Sequence, residues 1–286
     1  MRILICGAGG FVGRHLEQAL SAAKHEVLRG VRRPLTARDV AIDFTRDTEV
    51  ELWQARLAGV DAVVNAVGVL RDTPTTPMAL IHDRVPRALF TACAESGVSR
   101  IVHFSALGVG GQLATRYFSS REAAERHLQS LPDALRSLIL RPSLIHGAGG
   151  ASTRLFLRLA RLPLLALPGG LNARVQPVHI DDITQAIVRW LGNTQPKQLG
   201  VAAVGAEAVD LGGLLASYRS QLGRKPARVL PLPRGLVKLA ARLGDRFPSS
   251  MLCSDTLRML EAGNSADPAA FAALLGRPPL SFREFL

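Results

Sequence analysis

Cysteine, lysine and the large aromatics are scarce in this chain. Its three cysteines, Cys6, Cys93 and Cys253, are too few and too scattered for a disulfide framework or a zinc cluster, which points to a reducing compartment and no metal site. No stretch approaches the roughly 18 apolar residues of a membrane-spanning helix. The first residues also lack a charged-then-apolar leader. These absences predict a cytoplasmic chain, with a peripheral seat at the inner face of a membrane left open. Only Lys24, Lys197, Lys225 and Lys238 are lysine, so the formal net charge of +12 rests on arginines spread from end to end. Two tryptophans and two tyrosines offer little to stack on bases, which argues against nucleic acid as a partner.

Apolar residues and glycine are what the chain does have. At 286 residues and 48% hydrophobic it can bury a full core, as a main domain with a smaller lobe. The stretch Arg2 to Leu16, RILICGAGGFVGRHL, organises the rest. Ile3, Leu4, Ile5 and Cys6 form a charge-free run, Gly7, Gly10 and Gly13 follow, and Phe11, Val12, Leu16, Ala19 and Leu20 fall at helical spacing. That is a buried strand, a tight turn and a helix. Gly7 can adopt angles a side chain forbids, Gly10 lets the chain approach a ligand closely, and Gly13 lets the helix sit close on its strand. With Gly9, Phe11 and Val12 around it, the turn presents free amides and the positive end of a helix dipole to an anion, most often a diphosphate bridge. The spacing is Gly-x-x-Gly-x-x-Gly, and Gly9 adds a partial match to Gly-x-Gly-x-x-Gly, so we read a dinucleotide site.

His25 to Val31 is placed as a second strand, whose end reads the adenosine ribose through an acid for a 2′-hydroxyl or a basic group for a 2′-phosphate. Val31 stands where the acid would be, and Arg32 and Arg33 follow. Two guanidiniums suit bidentate phosphate contact. The expected cofactor is therefore NADP(H), with NAD(H) the alternative if both arginines merely face water. Val40 to Asp43 reads as a third strand and Asp61 to Gly68 as a fourth, whose small Ala66, Val67 and Gly68 can pass beside the diphosphate and ribose. Met78 to Gly97 is a long helix carrying His82, read as a packing or surface residue. Arg100 to Ser105 and Ser137 to Pro142 are further strands. Such alternation predicts a doubly wound, Rossmann-like α/β fold with a parallel sheet and ligands at the carboxyl ends of its strands.

From His146 the texture changes. Arg154 to Leu167 reads as a helix broken by Pro163, Val175 to Asp182 as a return to the sheet, and the chain beyond Val209 as mainly helical, with Pro231, Pro233 and Pro248 as punctuation. This predicts a nucleotide-binding domain over 1–145 and 175–205 and a small, mostly helical C-terminal lobe over 146–174 and 206–286. In that lobe Arg234, Lys238, Arg242 and Arg246 recur every four residues while Leu236, Val237, Leu239, Ala240 and Leu243 fill the other face. A helix resting on anionic lipid fits this pattern. An ordinary surface helix with its charges in water fits it too.

The segments GAGGFVGRHL (Gly7 to Leu16), DAVVNAVGVL (Asp61 to Leu70), ESGVSRIVHFSALG (Glu95 to Gly108), LRPSLIHG (Leu140 to Gly147) and QPVHIDDITQAI (Gln176 to Ile187) together resemble the atypical and extended short-chain dehydrogenases/reductases, which are NAD-dependent epimerase/dehydratase-like. Within these the chain is similar to the group containing the nucleotide-binding accessory subunit of respiratory complex I. The resemblance implies that Asp43 contacts the adenine and that the Arg141, Pro142 and Ser143 stretch borders the cofactor. It also implies where chemistry would lie. In that superfamily a tyrosine is general acid or base at the substrate oxygen, and a lysine four residues on supports it, binds the nicotinamide ribose and relays the proton.

Here Tyr117 is in place and Arg121 stands where the lysine would be. Arginine keeps the charge and can donate to ribose hydroxyls, but it is planar and effectively never deprotonated, which removes the relay. Ser105 begins the superfamily's serine-rich strand end, with Ala106 and Leu107 in the places of the substrate-facing serine. That leaves Ser105 as a strand-end hydrogen-bonding residue or a substrate ligand. His179 and Asp182 match a segment whose implied role is linking the two lobes. Two functions stand as expectations. One is an NADP(H)-dependent oxidoreductase or epimerase acting through Tyr117 on a small molecule the sequence does not identify. The other is a non-catalytic dinucleotide-binding protein with a structural, assembly or redox-sensing role toward a protein partner, as the resemblance to the complex I group implies.

Overall fold

The charge-free run after Arg2 becomes strand β1 (Arg2–Cys6), buried from Ile3 onward on both faces, as a central strand of a covered parallel sheet requires. The computed structural model describes residues 1–113, 115–132, 134–169, 173–193, 198–247 and 250–286; Lys197 and Pro248 lie outside the described residues. The chain forms two compact units, Met1–Pro142 with Ile183–Val201, and Ser143–Asp182 with Ala202–Leu286.

In the first unit β1 leads to α1 (Phe11–Ala22), β2 (Glu26–Val31), β3 (Asp39–Ala41), α2 (Val50–Arg56), β4 (Ala62–Asn65), α3 (Val85–Glu95), β5 (Arg100–Phe104), α4 (Arg116–Ser130) and β6 (Arg136–Pro142). The sheet runs β3-β2-β1-β4-β5-β6 with Gln198–Ala203 beyond β6, and every pair from β3 to β6 is parallel. The fold is the Rossmann-like one expected from the alternation. Strand order reverses at β1, whose neighbours β2 and β4 lie on opposite sides, and such a switch point opens a ligand crevice at the strands' carboxyl ends. On one face Trp53 is fully buried, edge-on to Phe44 at 5.7 Å, with its Nε1 donating to Asp47 O at 2.8 Å.

The helix expected over Met78 to Gly97 is interrupted in kind. Ala79–Arg84 winds as a π-helical turn before α3 begins. Pro86, near the start of α3, has no N–H for the carbonyl four residues back, which relaxes the α ladder there. The widened turn buries Ile81 and His82.

The second unit contains β7 (Ile145–His146), α5 (Ala151–Ala160), β8 (Leu164–Pro168), β9 (Arg174–Val175) and β10 (Val178–His179). The chain then forms α6 (Ile180–Gly192) and β11 (Gln198–Ala203). It returns with β12 (Val209–Asp210), α7 (Leu211–Gln221), β13 (Arg228–Leu232), α8 (Arg234–Gly244), α9 (Ser254–Ala262) and α10 (Ala269–Leu275). Helices dominate this unit, but three two-stranded pairs accompany them: β7 with β10, β9 with β12 and β8 with β13. The helix expected to run to Leu167 stops at Ala160, because Pro163 cannot continue the ladder. The following LLALP instead pairs in parallel with β13.

Tyr218 anchors the core of this unit, packed with Leu214, Leu215 and Phe282, while its hydroxyl lies 2.9 Å from His146 Nδ1. Burial, then the neighbouring His179, push the His146 pKa down to about 4. No helix among the described residues is long and apolar enough to cross a membrane. The three cysteines are buried and unpaired.

Candidate functional site

The glycine turn takes its shape from two positions. Gly7 sits at φ +84°, where an L side chain is strained. A Cβ at Gly13 would stand 2.1 Å from Gly7 O and 2.7 Å from Ala8 Cα, so only glycine lets α1 lie against the turn. The turn closes with Gly10 N–H donating to Gly7 O at 2.9 Å. Gly10 caps α1 without a side-chain acceptor, and the first turn carries no acidic residue. The helix therefore offers its amides and dipole to an outside anion, which suits a diphosphate.

This turn forms one wall of a cavity of about 450 Å³ in the first unit. Gly7, Gly9 and Gly10 face Val31 and Arg32 from the end of β2, Asp43 from the end of the β3 segment, and Val67 and Gly68 after β4. Other site residues named from the sequence lie elsewhere. Phe11, Val12, Gly13, Arg33, Ala66, Tyr117, Arg121, Ser105 and Pro142 do not border this cavity, although Arg33 is exposed one residue beyond Arg32 and the Ala66 carbonyl lies against Gly7.

The cavity also takes in residues that sequence reasoning passed over. A Cβ on Gly30 would stand 2.6 Å from Ile42 Cδ1 and 2.9 Å from Ile5 O, and Phe44, Thr45, Thr76 and Ile81 complete the walls. The glycine inside the HEVLRGV strand was an available signal of close backbone approach. Asp43 is held in place by Thr45, whose hydroxyl and amide donate to Asp43 Oδ1 at 2.7 and 3.0 Å. Burial opposes its ionisation, but the Thr45 bonds together with Arg46 and Arg32 outweigh it and keep the carboxyl below its usual range.

The tyrosine and arginine of the Tyr-x-x-x-Arg pattern lie on α4, whose Thr115 cap accepts from Phe118 N. Tyr117 is half-buried, and its hydroxyl makes no hydrogen bond among the described residues. Arg121 is only 6% exposed. Its Nη1 donates to Phe104 O at 2.8 Å, its Nη2 approaches His82 Nε2 at 3.4 Å, and its guanidinium lies over the Tyr117 ring. A Cβ on Gly68 would stand 2.4 Å from Nη2, so this glycine leaves room for the guanidinium beneath the loop after β4.

His82, read from the sequence as a packing or surface residue, packs inward. It is buried, with its ring edge-on to Tyr117 at 5.6 Å. Val69 N–H donates to His82 Nε2 at 3.0 Å, which places the ring proton on Nδ1, 2.9 Å from Ser120 Oγ; that hydroxyl in turn donates to Tyr117 O. Burial first, then the Arg121 guanidinium, hold His82 neutral, its pKa down to about 2. Nearby, Asn65 Nδ2 lies 3.3 Å from His103 Nδ1, and burial pushes the His103 pKa down to about 3.

Ser105 takes part in the sheet, its N–H donating to Leu140 O at 2.7 Å, and its hydroxyl is buried without a partner among the described residues. Pro142 O accepts from Leu107 N. Arg141 pairs with buried Glu125. Within the second unit Ser143 donates through its hydroxyl to Asn264 O at 3.0 Å. Asp182, fully buried there, accepts from Arg277 at 2.5 Å and from Leu280 N at 2.7 Å, while His179 Nδ1 accepts from Asp181 N. Among the described residues no group of His, Cys, Asp and Glu could hold a metal ion.

Comparison with known proteins agrees with this architecture. A ceramide reductase of Caulobacter vibrioides is 27% identical over 259 residues, 86% of this chain and 78% of that protein. The mitochondrial NADH dehydrogenase (ubiquinone) 1 alpha subcomplex subunit 9 of Mus musculus is 27% identical over 202 residues, covering 64% of this chain and 51% of its own length; the chain thus spans about half of that relative. The crystal structure of UDP-glucuronic acid 4-epimerase from Bacillus cereus, in complex with UDP-glucuronic acid and NAD, has the same fold. It superposes with a TM-score of 0.72 at 18% identity over 99% of this chain and 96% of that one. The NAD dependent epimerase/dehydratase family model matches residues 3–202, and the chain belongs to that family.

Proposed function

We propose that this chain binds NADP(H) in the cavity of the first unit and is a reductase in which Tyr117 gives the proton to the substrate oxygen. The observation that carries the reading is Arg32, which borders the same cavity as the Gly7–Gly10 turn at a strand end where Val31 replaces an acid. The turn and the start of α1 suit the diphosphate, Arg32 the 2′-phosphate, Asp43 the adenine, and Val67 and Gly68 the ribose side. Bound there, the nicotinamide supplies the hydride. Tyr117 has a hydroxyl free of protein partners among the described residues, as a proton donor to a carbonyl oxygen needs. Support for reduction over epimerisation comes from the relative named ceramide reductase, which this chain matches over most of both lengths.

The test is turnover. Purified chain with NADPH and a panel of carbonyl compounds that includes long-chain lipid ketones should oxidise the cofactor with at least one, and Tyr117→Phe should abolish that oxidation while binding NADPH as before. One observation favours a second reading. Arg121, where the superfamily has its relay lysine, is buried and engaged by Phe104 O and His82, which suits a protein that holds the dinucleotide without turning it over. Tight NADPH binding with no oxidation by the parent chain or by Arg121→Lys would select that role.

A further inference from the structure

Helix α8 presents an outward face that is apolar and basic at once. On α8 only Val237, Ala241 and Gly244 are buried, the first two against Leu257 of α9 and Leu232. Leu236, Leu239 and Leu243 recur at helical spacing and are 55%, 52% and 47% exposed, with Phe247 at 62% just beyond the helix. At about 100° per residue the three leucines form one stripe and Arg234, Lys238 and Arg242 the stripe beside it, with Arg246 following just after the helix end. An ordinary surface helix would turn its leucines into the core and leave its charges in water; this one turns both outward.

The same composition continues into the β8/β13 pair. On one face of it Leu164 and Leu230 are about half exposed, with Arg228 in register with Leu164, and Val229 is exposed on the other. Pro231 to Pro233 join this pair directly to α8.

We infer that this face docks on an anionic phospholipid bilayer, the leucines and Phe247 entering the boundary of headgroups and chains and the basic row meeting the phosphates. Charge complementarity selects this occupant. Lys238, Arg242 and Arg246 are exposed with no carboxylate partner among the described residues. Asp245 is the single acid between Arg234 and Phe247, and it accepts from Ser254 N and Oγ. An apolar stripe alone would suit many partners. An apolar stripe with a parallel cationic one matches a surface that is negative at its rim and hydrocarbon beneath, and long Arg and Lys stems can span that boundary. Each basic side chain at an anionic membrane is worth about fivefold in affinity. The face lies within the second unit and is independent of the dinucleotide chemistry.

The test is sedimentation of the full chain with vesicles of equal parts phosphatidylcholine and phosphatidylglycerol, against vesicles of phosphatidylcholine alone. The expected result is binding to the anionic vesicles, much weaker binding to the neutral ones, and a loss of roughly tenfold or more in both Leu239→Ser/Leu243→Ser and Lys238→Glu/Arg242→Glu. Every substituted position is exposed and distant in sequence from the glycine turn, so unchanged circular dichroism and NADPH affinity show that the variants stay folded. No binding to anionic vesicles overturns the inference. So does binding that the leucine replacements leave intact, or a vesicle-independent dimer that the same replacements convert to monomer, which would make the face a contact between copies of the chain.

Discussion

The Arg121 guanidinium carbon lies 4.8 Å from the centre of the Tyr117 ring, one helical turn away on α4, while Nη1 is spent on the Phe104 carbonyl. The phenol thus has a fixed positive charge beside its ring and a neutral imidazole, His82, edge-on to it. This arrangement can orient a tyrosine. It cannot pass a proton along, because guanidinium does not deprotonate and His82 keeps its Nδ1 proton toward Ser120. Any proton that Tyr117 gives up must be replaced from solvent or substrate.

Arg121→Lys should therefore separate bracing from relay. If the reductase reading holds, the lysine loses the planar contact with the Tyr117 ring and the Phe104 bond but regains a titratable amine. Rate against pH checks this: a new dependence on a group titrating in the alkaline range is expected, with NADPH affinity unchanged within about twofold, since Arg121 does not border the cofactor cavity.

Replacing Arg32 by Ala should weaken NADPH and leave NADH nearly untouched. A charge-assisted phosphate contact contributes about 1.5–3 kcal/mol, or roughly 10- to 100-fold in Kd. Calorimetric titration of both coenzymes against the variant reads this, and an equal loss for the two would remove Arg32 from the 2′-phosphate.

Gly13→Ala should unsettle the turn itself. With its new methyl 2.1 Å from Gly7 O, α1 must shift, and overpacking of this kind costs about 1–3 kcal/mol. A lower thermal midpoint together with weakened binding of both coenzymes is expected, in contrast to the selective effect at Arg32.

Acid should destabilise the first unit through its histidines. Burial holds His82 and His103 neutral, with pKa values pushed down to about 2 and about 3, whereas in the unfolded chain each takes up a proton below about 6.5. The unfolded state then binds more protons, so stability present at neutrality is lost as pH falls from about 6.5 toward 3. His82→Gln keeps an acceptor for Val69 N–H without titrating. Denaturant midpoints measured from neutrality into mild acid should fall less steeply in this variant than in the parent.

In the second unit Asp182→Ala should be severe. The carboxylate is fully buried and accepts from both Arg277 and Leu280 N. Losing a charge-assisted bond to the part-exposed Arg277 together with the acceptor for Leu280 N costs about 2–3 kcal/mol, read as a lowered urea midpoint. A change within a few tenths of a kcal/mol would mean that water replaces the carboxylate there.

The fold and family were legible because their signals are local. The strand, glycines and helix of residues 2 to 20 are contiguous, and the strand-helix alternation after them repeats one pattern. What stayed hidden depends on contacts between distant segments. His82 takes its meaning from Val69, Ser120 and Arg121, which approach only when the π-helical turn widens the start of α3. Thr45 and Thr76 carry no pattern of their own and reach the cavity through loops. The strand after Pro163 looked helical because its partner, Arg228–Leu232, lies far along the chain, and the outward leucines of α8 could be told from inward ones only once α9 was seen to cover so little of the helix.

The central claim is that the Gly7–Gly10 turn and Arg32 hold one dinucleotide bearing a 2′-phosphate. Isothermal titration of the unmodified chain with NADPH and with NADH tests it most directly. The account predicts saturable binding of both, with NADPH tighter by about tenfold or more. Equal affinities, a preference for NADH, or no heat with either coenzyme would contradict it.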